Sequence, residues 1–314
     1  MRVVSFLPSA TEMVYALGQG GLLVGRSHEC DYPAEARALP VVMRARFDLA
    51  GKGSRAIDQL VSEVLAKHEE LYTVDEERLR TLAPELVLTQ DLCAVCSVTP
   101  GTLKDALDTF SPRPKVVTLS PTRLAHLFRD METLAQALDV PDRGKTLSSE
   151  SQRRLSRARP DVEPPEPLRV LVLEWLDPPI VAGLWVPDQI REAGGIPLLA
   201  RAGTPGRRTD WDTVRGLGAD LLVVAPCGYP LSRTADELAR APAHPLGDLH
   251  PARGVWLADE AFFSRPGPRL MEGVELLSDL LSGTGRPRRA YENRARPAYR
   301  SPLFMNRVPS RRAR

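Results

Sequence analysis

The chain has 314 residues, 43% of them hydrophobic and 26% charged, with a formal net charge of +2. That length points to two packed units, since one core rarely grows past roughly 250–300 residues, and the apolar fraction excludes a wholly disordered chain. No run approaches the ~20 apolar residues of a membrane span, and the opening apolar run stops at Pro8, too short for a secretory signal, so the expected location is cytoplasmic.

Of the 42 basic residues 37 are Arg, a compositional bias that lowers the weight of any single Arg. Charge is unevenly placed. Residues 283–314 hold ten Arg against one Glu, so an acidic body carries a basic, Pro-rich tail that reads as disordered. An acidic body argues against nucleic acid as a specific partner of the folded part.

In chain order, residues 3–7 read as a strand, and Ser9-Ala10-Thr11-Glu12 has capping-box spacing ahead of a helix that Gly18 ends. A strand follows at 22–25 and opens into Ser27-His28-Glu29-Cys30-Asp31. Helices are expected over 57–71 and 75–82, then strands at 86–88 and 116–119. From Leu124 to Leu138 the apolar residues keep one helical face, and Pro141 can start a new helix. That second helix, to about Ala158, is so polar that it reads as a solvent-exposed strut.

The second half repeats the first. Asp75…Arg80-x-Leu82-x-x-Glu85-Leu86-Val87-Leu88 matches Asp210…Arg215-x-Leu217-x-x-Asp220-Leu221-Leu222-Val223 at a constant offset. Strands alternating with helices imply parallel sheets covered on both faces. The expected fold is α/β: two Rossmann-like lobes with parallel sheets, 1–120 and 161–282, joined by a long helical connector at 121–160, with the tail at 283–314.

Ligands of open parallel sheets bind outside the carboxyl ends of the strands. Those ends carry Ser9, His28, Cys30, Asp91, Cys93, Cys96, Glu174, Trp175, Cys227, Tyr229, Glu260, Phe262, Phe263 and Arg265. Two facing lobes would line one cleft with them.

Arg2-Val3-Val4-Ser5-Phe6-Leu7-Pro8-Ser9-Ala10-Thr11-Glu12, Tyr15-Ala16-Leu17-Gly18 and Leu79-x-x-Leu82-x-Pro84-Glu85-Leu86-Val87 resemble the class III periplasmic-binding-protein family, which captures iron-siderophores, haem and cobalamin for ABC importers. The resemblance covers about residues 1–282. It is nearest to a branch described as cobalamin-binding, through His28-Glu29-Cys30-Asp31-Tyr32-Pro33, Gln90-Asp91-Leu92-Cys93, Glu174-Trp175-Leu176-Asp177-Pro178-Pro179 and Phe263-Ser264-Arg265-Pro266-Gly267-Pro268-Arg269. It implies a corrinoid or related metal chelate as small-molecule ligand, an ABC permease as partner, and no catalysis. The ring would stack on Tyr32, Trp175, Trp185, Phe262 and Phe263, with the helix N-terminus at Ser9 free to hold an anionic group.

The four cysteines support a rival. Cys30, Cys93, Cys96 and Cys227 with His28 would suit Zn²⁺ or another soft metal, or the cobalt of a corrinoid, and Cys93-x-x-Cys96 would suit a redox pair. The plain alternative is small, half-buried residues in tight loops. Asp91, Glu174, Asp177 and Glu260 read as loop caps or ligand acceptors rather than acid/base pairs. Arg265 and Arg269 are placed to cap their loop or meet a ligand carboxylate. Gly20-x-x-x-x-Gly25-Arg26-Ser27 mimics a phosphate loop but lacks its Lys and its strand-to-helix setting. The expected function is solute capture; the alternatives are a thiolate metal protein, a cofactor-handling enzyme, or a partner-binding module that keeps the fold.

Overall fold

Apolar runs become strands in a computed structural model that describes residues 1–92, 100–108, 110–161, 165–282, 287–291 and 293–298. β1 (Val3–Ser5), β2 (Leu23–Ser27), β3 (Val41–Ala45), β4 (Tyr72–Val74), β5 (Leu86–Thr89) and β6 (Lys115–Thr118) make the first sheet, ordered β4-β3-β2-β1-β5-β6 among the described residues. It is parallel except at β3–β4. β1 and β5 are buried throughout, as strands covered by helices on both faces must be. The helices are α1 (Pro8–Ala16), α2 (Ser54–Ala66), α3 (Glu76–Leu82) and α4 (Pro100–Leu107).

The connector is two helices, α5 (Leu124–Ala137) and α6 (Pro141–Ala158), folded onto each other as a hairpin rather than one long rod. Nor is α6 an exposed strut. It buries Gly144, Ser148, Ser151, Leu155 and Ala158, a face of small residues that lets it approach α5 closely. A Cβ on Gly144 would lie 2.4 Å from that of Ala135.

The second sheet contains β7 (Arg169–Trp175), β8 (Ile180–Val181), β9 (Ile196–Pro197), β10 (Arg207–Arg208), β11 (Leu221–Val224), β12 (Val255–Ala258) and β13 (Ala295–Pro297). Its order is β10-β8-β7-β11-β12-β13, with β9 also paired to β7. β7, β11 and β12 run parallel, whereas β8, β10 and β13 are antiparallel additions. Around it lie α7 (Val186–Glu192), α8 (Trp211–Gly216), α9 (Leu231–Arg240) and α10 (Leu270–Leu281).

The internal repeat is visible in local chemistry. Asp75 caps α3 by accepting from the Arg78 N–H (3.0 Å), and Asp210 caps α8 by accepting from the Thr213 N–H (2.7 Å). Glu85 and Asp220 likewise each accept, at 2.7 Å, from the N–H of Arg2 and Arg169, which precede or open the central strands.

Residues of β1 and β7 alternate between faces. Val3 and Val170 point into one apolar cluster that runs through α1, α5, α6, α7 and α10, so both sheets share it. Val4 and Leu171 point into two separate clusters on the far faces.

Part of the expected tail is built into the second sheet. Tyr291 and Ala295 are buried, Arg288 pairs with Asp279, Arg294 with Asp259, and β13 pairs with β12. The residues beyond 298 lie outside the described ones.

Candidate ligand-binding cleft

Each sheet reverses its strand order between its two central strands, β1/β5 in the first and β7/β11 in the second, which are the places where α/β sheets bind ligands. Loops from the carboxyl ends of both sheets meet each other in two places, a base and a mouth.

At the base, Glu12 does not close a capping box. Pro8 occupies the first helical position, Leu7 is the N-cap, and Ser9 is buried inside the helix. The Glu12 carboxylate instead crosses to the other lobe, where it accepts from Arg269 Nε at 2.8 Å and Nη2 at 2.5 Å. Arg265 donates to Asp31 Oδ1 at 2.5 Å, meets Glu260 Oε1 at 2.7 Å, and lies 3.5 Å from Glu12. The Arg269 guanidinium sits 4.2 Å from the centre of the Tyr32 ring.

Three of these groups are nearly dry: Glu12 and Glu260 are each 4% exposed and Arg269 6%. Burial pushes the Glu260 carboxyl up to about 7, against the pull of Arg265. At Asp31 burial also opposes ionisation, but the Arg265 hydrogen bond and charge outweigh it and hold the carboxyl below its usual value. Arg265 and Arg269, though desolvated, are held firmly charged by the surrounding carboxylates.

At the mouth, the first turn of α2 is tied to the second lobe. Glu237 on α9 accepts from the Ser54 N–H (2.8 Å) and Oγ (2.5 Å), filling the role of an N-cap from across the cleft. The Trp175 indole N–H donates to the Ser54 carbonyl at 3.2 Å. Arg55 pairs with Asp177 (2.9 and 3.3 Å) and Arg208 with Asp58 (2.9 and 2.6 Å), both two-pronged. Arg233 donates to the Leu49 and Lys52 carbonyls while stacking 3.9 Å from the Tyr229 ring centre. Tyr229 in turn meets Trp175 edge-on at 5.3 Å.

The sequence-derived site residues divide. Tyr32 is exposed, Trp175 and Glu174 are half-buried, and Asp91 is exposed with its N–H on Ser120 Oγ (3.0 Å). A Cβ on Gly206 would lie 1.8 Å from Glu174 Oε1, so a side chain there would push the carboxylate aside. Three aromatics are not on the cleft wall: Trp185, Phe262 and Phe263 belong to the shared apolar cluster. The loop after β12 turns inward there, and Trp185 Nε1 donates to the Phe263 carbonyl at 2.6 Å. Ser9 is buried beside the Gly267 backbone, and Arg265 is saturated by carboxylates, so both hold the rims together.

The residues of the thiolate rival are only partly described. Cys30 is fully buried beside the Thr11 hydroxyl, and burial pushes its thiol up to about 11. Cys227 is exposed at the end of β11, and His28 is half-buried with its ring 6.0 Å from that of Tyr72. Cys93 and Cys96 lie outside the described residues. Among the described residues no three His, Cys, Asp or Glu side chains gather as a metal-binding group.

Sequence reading missed Ser54, Asp58, Arg208, Arg233 and Glu237. Gly51-Lys52-Gly53 ahead of Ser54 signals a helix start, but nothing local connects Asp58 with Arg208.

A family model described as periplasmic binding protein matches residues 3–244. The chain belongs to that family. Curated relatives include the vitamin B12-binding protein of Photorhabdus laumondii, 28% identical over 156 residues. That match takes in 50% of this chain and 45% of the relative, so the chain spans about half that protein's length. The vitamin B12-binding protein of Vibrio cholerae is 23% identical over 278 residues, covering 87% and 86% of the two chains. Among solved structures, the periplasmic heme-binding protein RhuT from Roseiflexus shares the fold with a TM-score of 0.65, 24% identity, and 91% and 99% coverage. The periplasmic vitamin B12-binding protein BtuF of Vibrio cholerae does so at 0.60 and 20% identity, with 89% and 96% covered. As a member of this family the chain is a solute-binding protein, and the thiolate-metal and enzyme rivals draw no support from these matches. The expected cytoplasmic location is overturned: the family and its solved members are periplasmic. An opening strand reports packing in a sheet and says nothing about compartment.

Proposed function

We propose that the chain captures a corrinoid, or a related tetrapyrrole metal chelate, between its two lobes and passes it to an ABC permease, performing no chemistry of its own. The observation that carries this reading is the pair of aromatics at strand ends of opposite sheets, exposed Tyr32 and half-buried Trp175. A planar macrocycle gains by burying its faces on such side chains. Asp91 and Glu174 supply acceptors for amide groups at its edge. The vitamin B12-binding and heme-binding names of the relatives point to the same ligand class.

Titration with cyanocobalamin, and in parallel with haemin, tests it. Saturable binding with a raised melting temperature and a shifted visible spectrum is expected. Trp175→Ala should weaken affinity about tenfold, the value of one lost stacking contact. Flat titrations with both rings at high excess would remove the proposal.

A further inference from the structure

We propose that the strap at residues 46–53 and the first turn of α2 form a gate, latched shut by the opposite lobe, whose opening admits ligand. The part about ligand entry rests on the binding reading above; the gate itself does not.

The argument begins with how α2 is held. Its carboxyl half belongs to its own lobe, through Leu60, Val61 and Val64 in the cluster beneath β3 and β4. Its amino-terminal turn is held from across the cleft instead. Ser54 makes three bonds to Glu237 and Trp175, Arg55 and Asp58 each pair with a residue of the second lobe, and Leu49 and Lys52 receive Arg233. Thus one ten-residue stretch, 49–58, takes every hydrogen bond and ion pair described between the lobes at the mouth.

The strap before it is made to swing. Gly51 has φ +71° and Gly53 follows two residues on, so two glycines bracket Lys52 where backbone rotation is least restricted. The strap is anchored at its start, where Arg46 donates to the Leu71 and Glu70 carbonyls, but from 48 to 53 the described local bonds are few: Ala50 N–H to Asp48, and Lys52 N–H to the Leu49 carbonyl at 3.4 Å.

The latch is of graded strength. Arg55 and Arg208 have side chains 73% and 52% exposed, so each ion pair is weak and salt-screened, and the latch can release at thermal cost. The two pairs are also reciprocal, Arg55 reaching from the first lobe and Arg208 from the second.

The test uses the full chain without ligand first. Asp58→Asn combined with Asp177→Asn removes both ion pairs while leaving Ser54, Trp175 and Glu237 in place. Hydrogen exchange at the amides of residues 54–58 should speed up about tenfold, the combined effect of two exposed pairs. Bio-orthogonal spin labels at Gln59 and Ser232 should report a broader, longer distance distribution. The charge-exchanged variant Asp58→Arg with Arg208→Asp should return both readouts to the parent values. In stopped flow, the Asn variant should take up cyanocobalamin several-fold faster.

Unchanged exchange and an unchanged distance distribution overturn the gate, whatever the protein binds. Faster exchange with no uptake of cyanocobalamin or haemin by the parent protein leaves the gate standing and removes the binding reading instead. Faster exchange with unchanged uptake rates overturns its role in ligand entry.

Discussion

The base and the mouth of the cleft use the same chemistry, Arg against carboxylate, in opposite surroundings. At the base Arg265, Arg269, Glu12 and Glu260 are buried over an apolar cluster common to both lobes. At the mouth Arg55 and Arg208 are mostly in water. A buried pair is costly to form and far more costly to split, whereas an exposed one contributes little either way. The difference teaches where this molecule can move. The base fixes how the lobes face each other, and the mouth is the part free to part.

Breaking the base gives the largest expected effect. Glu12→Ala leaves the Arg269 guanidinium buried without its two-pronged partner, and should cost about 3–5 kcal/mol in urea denaturation. A loss below about 1 kcal/mol would place the base in the same class as the mouth.

A pH series sharpens the same contrast. Burial raises the Glu260 carboxyl to about 7 and that of Asp130 to about 6. The folded chain therefore keeps protons there that the unfolded chain has already released. The stability contributed by these two groups falls as pH rises from about 4 to 7, by on the order of several kcal/mol, and is fully present on the acid side of that window. Glu260→Gln should flatten the upper part of the slope, as followed by thermal melts from pH 5 to 8. Asp31 has a lowered carboxyl and works with the opposite sign, at lower pH.

The smallest effect belongs to the mouth. Arg208→Ala should shift denaturation by less than about 1 kcal/mol, and the shift should shrink further in high salt.

The alternation of strands and helices, the doubled Asp-capped helix and the 124–138 helix could all be read from the chain, because each depends on local periodicity or a capping side chain. The packing of α6 could not, since its buried face is Gly144, Ser148 and Ser151, which no apolar pattern marks. Strand-end position placed Trp175 on the rim but misplaced Phe262 and Phe263, and only the family resemblance pointed to Tyr32. A loop leaving a strand can turn into the core as easily as over the cleft, and only packing decides. The Glu12–Arg269 pair spans 257 positions, and Glu12 fits a local capping box well enough to conceal its distant partner.

The return of β13 alongside β12 has a consequence for anyone shortening this protein. Without residues 293–298 the outer hydrogen-bonding groups of Val255–Ala258 would stand open, on a strand whose four side chains are all buried. An uncovered apolar border of that kind is a template for strands of other molecules, so trimming the basic tail too far trades solubility for aggregation.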